Sequence, residues 1–246
     1  MRKLIIGFAW LSPFVAIILW PHAPAIGIVV VAISHALWLY PTLRPNVQWF
    51  GPVVTRFETD RREIWLTIDD GPTGDTPAIL DALAKLNTKV TFFLKGALAS
   101  QNPDSVRSIL AAGHAVGNHS YSHPSATFWC LPPPQIAGEI DGCNAVLGMQ
   151  RYFRAPVGMK NPAVHPLLAG RNMRLIGWSV RGFDTVIDDP ARISARITSG
   201  ARSGAIVVLH QGRTHSLRCI ERVIQDLQRD GYAFVIPDDA RLKTNR

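Results

Sequence analysis

The sequence predicts an α/β fold, a small (β/α) barrel of about seven units standing behind two apolar helices. Three observations predict it. From Arg62 onward, short β-rich runs alternate with helical stretches, which is the pattern of βα units and a parallel sheet. Ahead of them lie two apolar runs, Leu4–Trp20 and Ala25–Tyr40, parted by Pro21–Pro24. The 246 residues are 47% hydrophobic and only 18% charged, and much of that apolar excess sits in these two runs. A doubly wound sheet is the alternative for the second part.

Taken in order, Leu4–Trp20 is an uncharged stretch of about 17 residues, at the short limit for crossing a bilayer. Trp20 and Trp38 near the run ends suit a helical hairpin with aromatic residues at the interface. Arg2 and Lys3 before an apolar segment also fit a signal peptide, and two core helices of a soluble domain would pass the same test. The run that resumes after Pro24 argues for the hairpin. Residues 1–41 therefore read as a membrane anchor, 42–62 as a proline-bearing linker, and 63–246 as the globular domain. Arg2 and Lys3 precede the first span, and Arg44, Arg56, Arg61 and Arg62 follow the second. Positive residues flanking spans favour the cytoplasmic side. That places the globular domain inward at the inner (cytoplasmic) membrane. A single span would put it in the periplasm or outside.

Strands are expected at 64–68, 90–94, 115–118, 152–154, 175–179, 205–209 and 232–236. Helices are expected near 76–86, 104–112, 135–147, 162–171, 189–200 and 216–229. The formal charge of +8 does not point to nucleic acid. Residues 1–62 hold six Lys/Arg against Glu58 and Asp60, which is half the excess, and no nucleic-acid module accompanies them. No obligate protein partner is evident. Cys130, Cys143 and Cys219 form no CxxC pair, so they imply no metal cluster or disulfide framework. A Cys130–Cys143 bridge is one reading and buried thiols the other.

Five segments at strand ends carry chemistry. Thr67-Ile68-Asp69-Asp70-Gly71-Pro72 ends a strand in two carboxylates, and a turn there can bring both to one mouth. The plain alternative is a capping turn for the next helix. His119-Ser120-Tyr121-Ser122-His123 supplies two imidazoles which, with one carboxylate, make a His₂Asp set that leaves coordination positions open. Phe153-Arg154-Ala155-Pro156-Val157-Gly158 offers an arginine able to orient a carboxylate, and a turn able to hold an oxyanion. Trp178-Ser179-Val180-Arg181-Gly182-Phe183-Asp184 and Val207-Val208-Leu209-His210 complete the series. Singly, each has a bland reading as a surface turn or a structural histidine.

Together and in this order, they resemble the five motifs of the polysaccharide deacetylases, carbohydrate esterase family 4, with the NodB-homology fold. The resemblance runs from residue 63 to about 236. It implies a distorted (β/α) barrel as the catalytic domain. It also implies a metal-dependent hydrolase that removes N-acetyl or other N-acyl groups from amino sugars of a cell-envelope glycan or glycolipid. By the resemblance, Asp70, His119 and His123 bind one divalent ion, usually Zn2+, with Co2+, Mn2+ or Ni2+ also used. Asp69 is then the general base, oriented by Arg154. His210 is the general acid, its tautomer held by Asp184. The Val157 N–H shares the oxyanion, and Trp178 and Arg181 belong to the substrate wall. An O-acetyl esterase and a degenerate membrane-anchored glycan-binding protein are the alternatives. The sequence departs from the family pattern at Val157, Arg181, Thr185 and Gln211, where an aromatic residue, Asp, Trp and Asp are usual. A guanidinium at Arg181 suits a phosphate-bearing substrate such as a lipid-linked sugar.

Overall fold

The computed structural model describes residues 1–244. Helices α1 (Arg2–Leu19) and α2 (Pro24–Leu43) form an antiparallel pair, each long and apolar enough to cross a membrane by length and composition. Small residues let the two backbones approach. A Cβ on Gly27 would lie 3.0 Å from the Ala16 Cα, and the Ser12 and Ser34 hydroxyls hydrogen-bond across the pair at 2.6 Å. That is the packing expected where surrounding lipid gives helices no hydrophobic drive to associate. The outer faces leave Trp10, Ile17, Ile18 and Ile26 exposed.

Then come β1 (Val54–Phe57), β2 (Glu63–Gly71), α3 (Thr76–Lys85) and β3 (Thr91–Leu94). Next are α4 (Gly96–Gln101), α5 (Pro103–Ala111), β4 (Ala115–Asn118), α6 (Pro133–Leu147) and β5 (Tyr152–Phe153). The chain continues with α7 (Val164–Ala169), β6 (Arg174–Leu175), β7 (Val180–Arg181) and α8 (Pro190–Gly200). It closes on β8 (Ala205–His210), α9 (Ser216–Arg229), β9 (Ala233–Phe234) and β10 (Leu242–Thr244).

β2 is central because Ile64–Ile68 is buried on both faces, as a parallel strand flanked on each side must be. It pairs in parallel with β3 and β8, and the sheet runs on through β4, β5 and β6. Alternation sorts its side chains. Ile64, Leu66 and Ile68 pack outward with Phe92, Leu94, Val207 and Leu209 against α3, α8 and α9. Trp65 packs inward with Phe93, Ile206, Val208 and Trp178. The sheet curls, and a bridge between Val54 and Ile176 brings its two ends together.

The expected barrel is thus present in curled form, with three differences in detail. The stretch expected as a linker carries β1, which runs antiparallel to β8 and β10. β10 and α4 were not anticipated. The strand expected at 175–179 splits into β6 and β7, because 176–178 bonds to other partners. Gly177 donates to the Val54 carbonyl at 2.8 Å, and the Asn46 amide donates to the Trp178 carbonyl at 2.6 Å. The three cysteines are free, Cys143 and Cys219 buried and Cys130 exposed, so the structure holds no Cys130–Cys143 bridge.

If β1 is integral, truncating its buried Phe57 must open a cavity. Phe57→Ala should destabilise the domain by about 3–5 kcal/mol in urea titration of the full chain. A change below about 0.5 kcal/mol, the range of ordinary surface substitutions, would show that β1 is peripheral.

Candidate active site

The alternation that builds the core also aims the chemistry. Trp65, Thr67 and Asp69 share the inner face of β2, while Ile206, Val208 and His210 share that of β8, and Asp69 and His210 are register partners. By the same alternation Asp70 would face the helices. The register slips between Asp69 and Gly71, and Asp70 takes φ +77°, so its carboxylate turns back to the mouth. A Cβ on Gly71 would fall 1.6 Å from the Gln211 amide nitrogen, so any larger residue there would displace that side chain. The two aspartates do not cap α3, so the capping-turn reading is set aside. Thr73 N–H donates instead to Thr76 Oγ1.

Arg154 enters the barrel interior with 1% of its surface exposed. Its Nη1 donates to Asp69 Oδ1 and to Thr67 Oγ1, both at 2.7 Å. Nη2 donates to the Gly177 carbonyl at 3.0 Å, Nε donates to that of Ile176 at 3.3 Å, and the guanidinium carbon lies 4.2 Å from the Phe93 ring centre. Asp69 is held in one orientation by a buried charged donor, leaving Oδ2 toward the cavity, 3.8 Å from His119 Nε2.

The metal-ligand candidates converge. Asp70 Oδ1 lies 3.7 Å from His119 Nε2 and 3.5 Å from His123 Nε2, and one ligand atom from each of the three lies within 4.8 Å of the others. A tetrahedral ion with bonds of about 2.0–2.1 Å holds its donors about 3.3 Å apart. His119 Nδ1 sits 2.8 Å from the Arg154 carbonyl, which can only accept, so Nδ1 carries the proton and Nε2 presents a lone pair. Burial pushes the His119 pKa down against the pull of Asp69 and Asp70. Burial, then His119, hold His123 at about 3. Both rings are therefore neutral, as ligation demands. Burial raises the Asp70 pKa, yet neighbouring positive groups outweigh it and hold the carboxyl at about 2. Lys95 Nζ stands 2.9 Å from Asp70 Oδ1, but it lacks hydrogen-bond alignment, and that buried oxygen has no aligned donor. Two imidazole nitrogens and an orphaned carboxylate oxygen fit a divalent ion.

Across the mouth, Asp184 accepts from His210 N–H at 2.7 Å and from His210 Nδ1 at 3.1 Å, which leaves Nε2 toward the cavity. Burial pushes the His210 pKa down, but the Asp184 bond and charge, with Asp69 and Asp70, outweigh it, so the net shift is upward. Val157, at φ +48°, occupies a backbone region costly for a β-branched residue. It borders the 350 Å³ cavity with Trp178 and Arg181, and all ten residues anticipated from sequence lie in or directly behind that cavity. Arg181 stacks on Phe183 at 3.8 Å. Lys95, Ser125 and Arg213 also line the cavity and were missed. For Lys95 a signal existed, because it follows directly on the apolar run Thr91–Leu94. Ser125 and Arg213 carry none.

The polysaccharide deacetylase family model matches residues 56–176. The peptidoglycan N-acetylglucosamine deacetylase of Listeria monocytogenes is 33% identical over 194 residues, covering 76% of this chain and 40% of that protein. The chain thus spans well under half the length of that relative. The peptidoglycan N-acetylmuramic acid deacetylase of Bacillus subtilis is 30% identical over 191 residues, covering 74% of this chain and 72% of the relative. A family 4 carbohydrate esterase from Streptomyces lividans superimposes with TM-score 0.68 at 28% identity, covering 77% of this chain and all of that one.

The donor set makes a prediction independent of turnover. Purified protein should retain about one divalent ion per chain, read by elemental analysis after dialysis. Asp70→Ala and His123→Ala should lose it, whereas Asp69→Asn should keep it. Equal retention by the Asp70→Ala variant would remove Asp70 from the ligand set.

Proposed function

The chain belongs to the polysaccharide deacetylase family, and from that premise we propose that it is a metal-dependent hydrolase removing N-acetyl groups from amino sugars of a cell-envelope glycan or of its lipid-linked form. The observation that carries this is the meeting of Asp69, Asp70, His119, His123 and His210 around one cavity, with Arg154 and Asp184 behind them. A binding protein with a lapsed site has no need of a buried arginine to aim a carboxylate, nor of a carboxylate to set an imidazole's tautomer. The names of the Listeria and Bacillus relatives support the substrate class, peptidoglycan amino sugars.

Asp70, His119 and His123 would hold the ion, and their two-nitrogen, one-oxygen set suits zinc, with cobalt, manganese or nickel as substitutes. When bound, the metal supplies Lewis acidity toward the amide carbonyl and makes water acidic enough to lose a proton near neutrality. Asp69 takes the proton of the attacking water, its free Oδ2 kept toward the cavity by the Arg154 bond to Oδ1. His210 gives a proton to the departing amine nitrogen from Nε2, while Asp184 holds Nδ1 protonated. The Val157 backbone N–H donates to the oxyanion of the tetrahedral intermediate. Trp178 and Arg181 form the sugar-facing wall.

The hairpin is read as a membrane anchor and Arg2, Lys3 and Arg44 as its inward-side charges, so the catalytic domain faces the cytoplasm at the inner membrane. Reporters fused to the carboxyl terminus decide this. A cytoplasm-only fluorophore should glow and a periplasm-only phosphatase should stay silent. The reverse result would place the domain outside, with finished wall polymer as its substrate.

Acetate release from acetylated chitooligosaccharides, with acetylated xylan as the ester control, tests the chemistry. Asp69→Asn should lower kcat by about 10²–10⁴, and a loss below tenfold would remove Asp69 as base. His210 must be protonated to act, and its pKa is raised. The rate should therefore hold past the ordinary imidazole range and fall as pH rises through the raised value. In His210→Ala that alkaline fall should vanish along with most of the rate. An unchanged alkaline limb would assign the acid elsewhere.

A further inference from the structure

Lys160 has none of its surface exposed, and no carboxylate pairs with it among the described residues. Its ammonium donates instead to three carbonyls, those of Pro45 at 2.8 Å, Arg44 at 2.9 Å and Pro41 at 3.3 Å. An ammonium has three N–H bonds, so every donor is used. Burial draws its pKa down to about 7, while the converging carbonyl dipoles favour the charged form, which alone fills all three bonds. Pro41 lies in the last turn of α2, where free carbonyls attract cations. The Lys160 N–H adds a fourth bond, to the Thr42 carbonyl at 3.3 Å.

The clamp sits on the loop that builds the site, with Val157 and Gly158 just before it. Gly158, at φ +75°, is pressed so tightly that a Cβ would lie 2.7 Å from Pro45 and 2.6 Å from Trp178. Asn46 brackets Trp178, donating to its carbonyl at 2.6 Å and accepting from its N–H at 3.5 Å. Gly158 and Trp178 both line the catalytic cavity. Residues 41–46 therefore form the outer layer of that cavity's wall. We propose that Lys160 is a positioning residue for the reaction, clamping the foot of α2 onto the loop that carries Val157 and making the hairpin part of the active-site wall. The proposal rests on the deacetylase reading above.

Full-length protein in lipid nanodiscs tests it through Lys160→Met and Lys160→Arg. Displacing a reacting geometry by a fraction of an ångström is costly, so Lys160→Met should lose about tenfold or more in kcat with KM little changed. Metal content should be unchanged, and amide hydrogens of 155–161 should exchange faster. Lys160→Arg, which keeps charge and donors, should recover most of the rate. A folded Lys160→Met with kcat within about twofold of the parent would overturn the proposal. If that variant does not fold, Asn46→Ala decides, with a smaller fall in kcat and faster exchange at Trp178 expected, and no change in either overturning it. Hydrogen exchange does not need turnover. A parent protein that releases no acetate would sink the deacetylase reading, while exchange would still decide whether the clamp orders the loop.

Discussion

The ion pair between Arg154 and Asp69 is the interaction on which the site depends. Both side chains lie inside the curled sheet, 1% and 3% exposed, at 2.7 Å. A charge in such a place is tolerated only when paired and fully hydrogen-bonded, and losing one partner of a buried pair costs about 3–5 kcal/mol. Arg154 meets that demand by spanning the barrel. Its head reaches Asp69 and Thr67 of β2, its edge the carbonyls after β6, and its face the Phe93 ring of β3. Its own carbonyl sets the tautomer of His119. One residue thus aims the proposed base, fixes a ligand candidate and ties the strands that carry both.

Backbone strain collects around this pair. Asp70, Ser120, His123, Val157 and Phe183 have positive φ, between +48° and +77°, and they cluster where β2, β4, β5 and β7 end. Such conformations cost on the order of 1–3 kcal/mol each and persist only where surrounding structure over-determines them. The other non-glycine residues with positive φ are Asn87 and Asn172, a type that accepts it readily. The packing that offsets the strain is the two-sided burial of β2, β3 and β8. The rigid sheet holds the turns in shapes that free peptide would not keep.

The segment between hairpin and sheet shows why some of the fold was illegible. Residues 42–62 carry prolines and no clear period, the marks of a linker. Their partners lie far along the chain, and no short window of sequence contains them. Asn46 bonds Trp178, Phe57 N–H donates to the Gly204 carbonyl at 2.9 Å, and the carbonyls of Arg44 and Pro45 meet Lys160. Lys95 sat at a strand end like the other site residues, but its partner Asp70 is 25 positions away and only the fold sets the two together.

What the sequence determined by itself was local in cause. Asp69, Asp70 and His210 each end an apolar run, and strand ends of a parallel sheet share one mouth, so their meeting place was legible while the face each takes was not. The Gly-Pro turn after Asp70 and the Pro-Val-Gly turn after Arg154 announced strand ends. The α/β class followed from that, and the convergence of the acidic and histidine motifs was what the family resemblance implied. Tertiary structure alone decided that β1 would run antiparallel and meet Ile176, and that residues at the hairpin's foot would back the cavity wall. Each of these is a pairing between residues scores of positions apart. Such a pairing exists only once the sheet has curled and brought its two ends together.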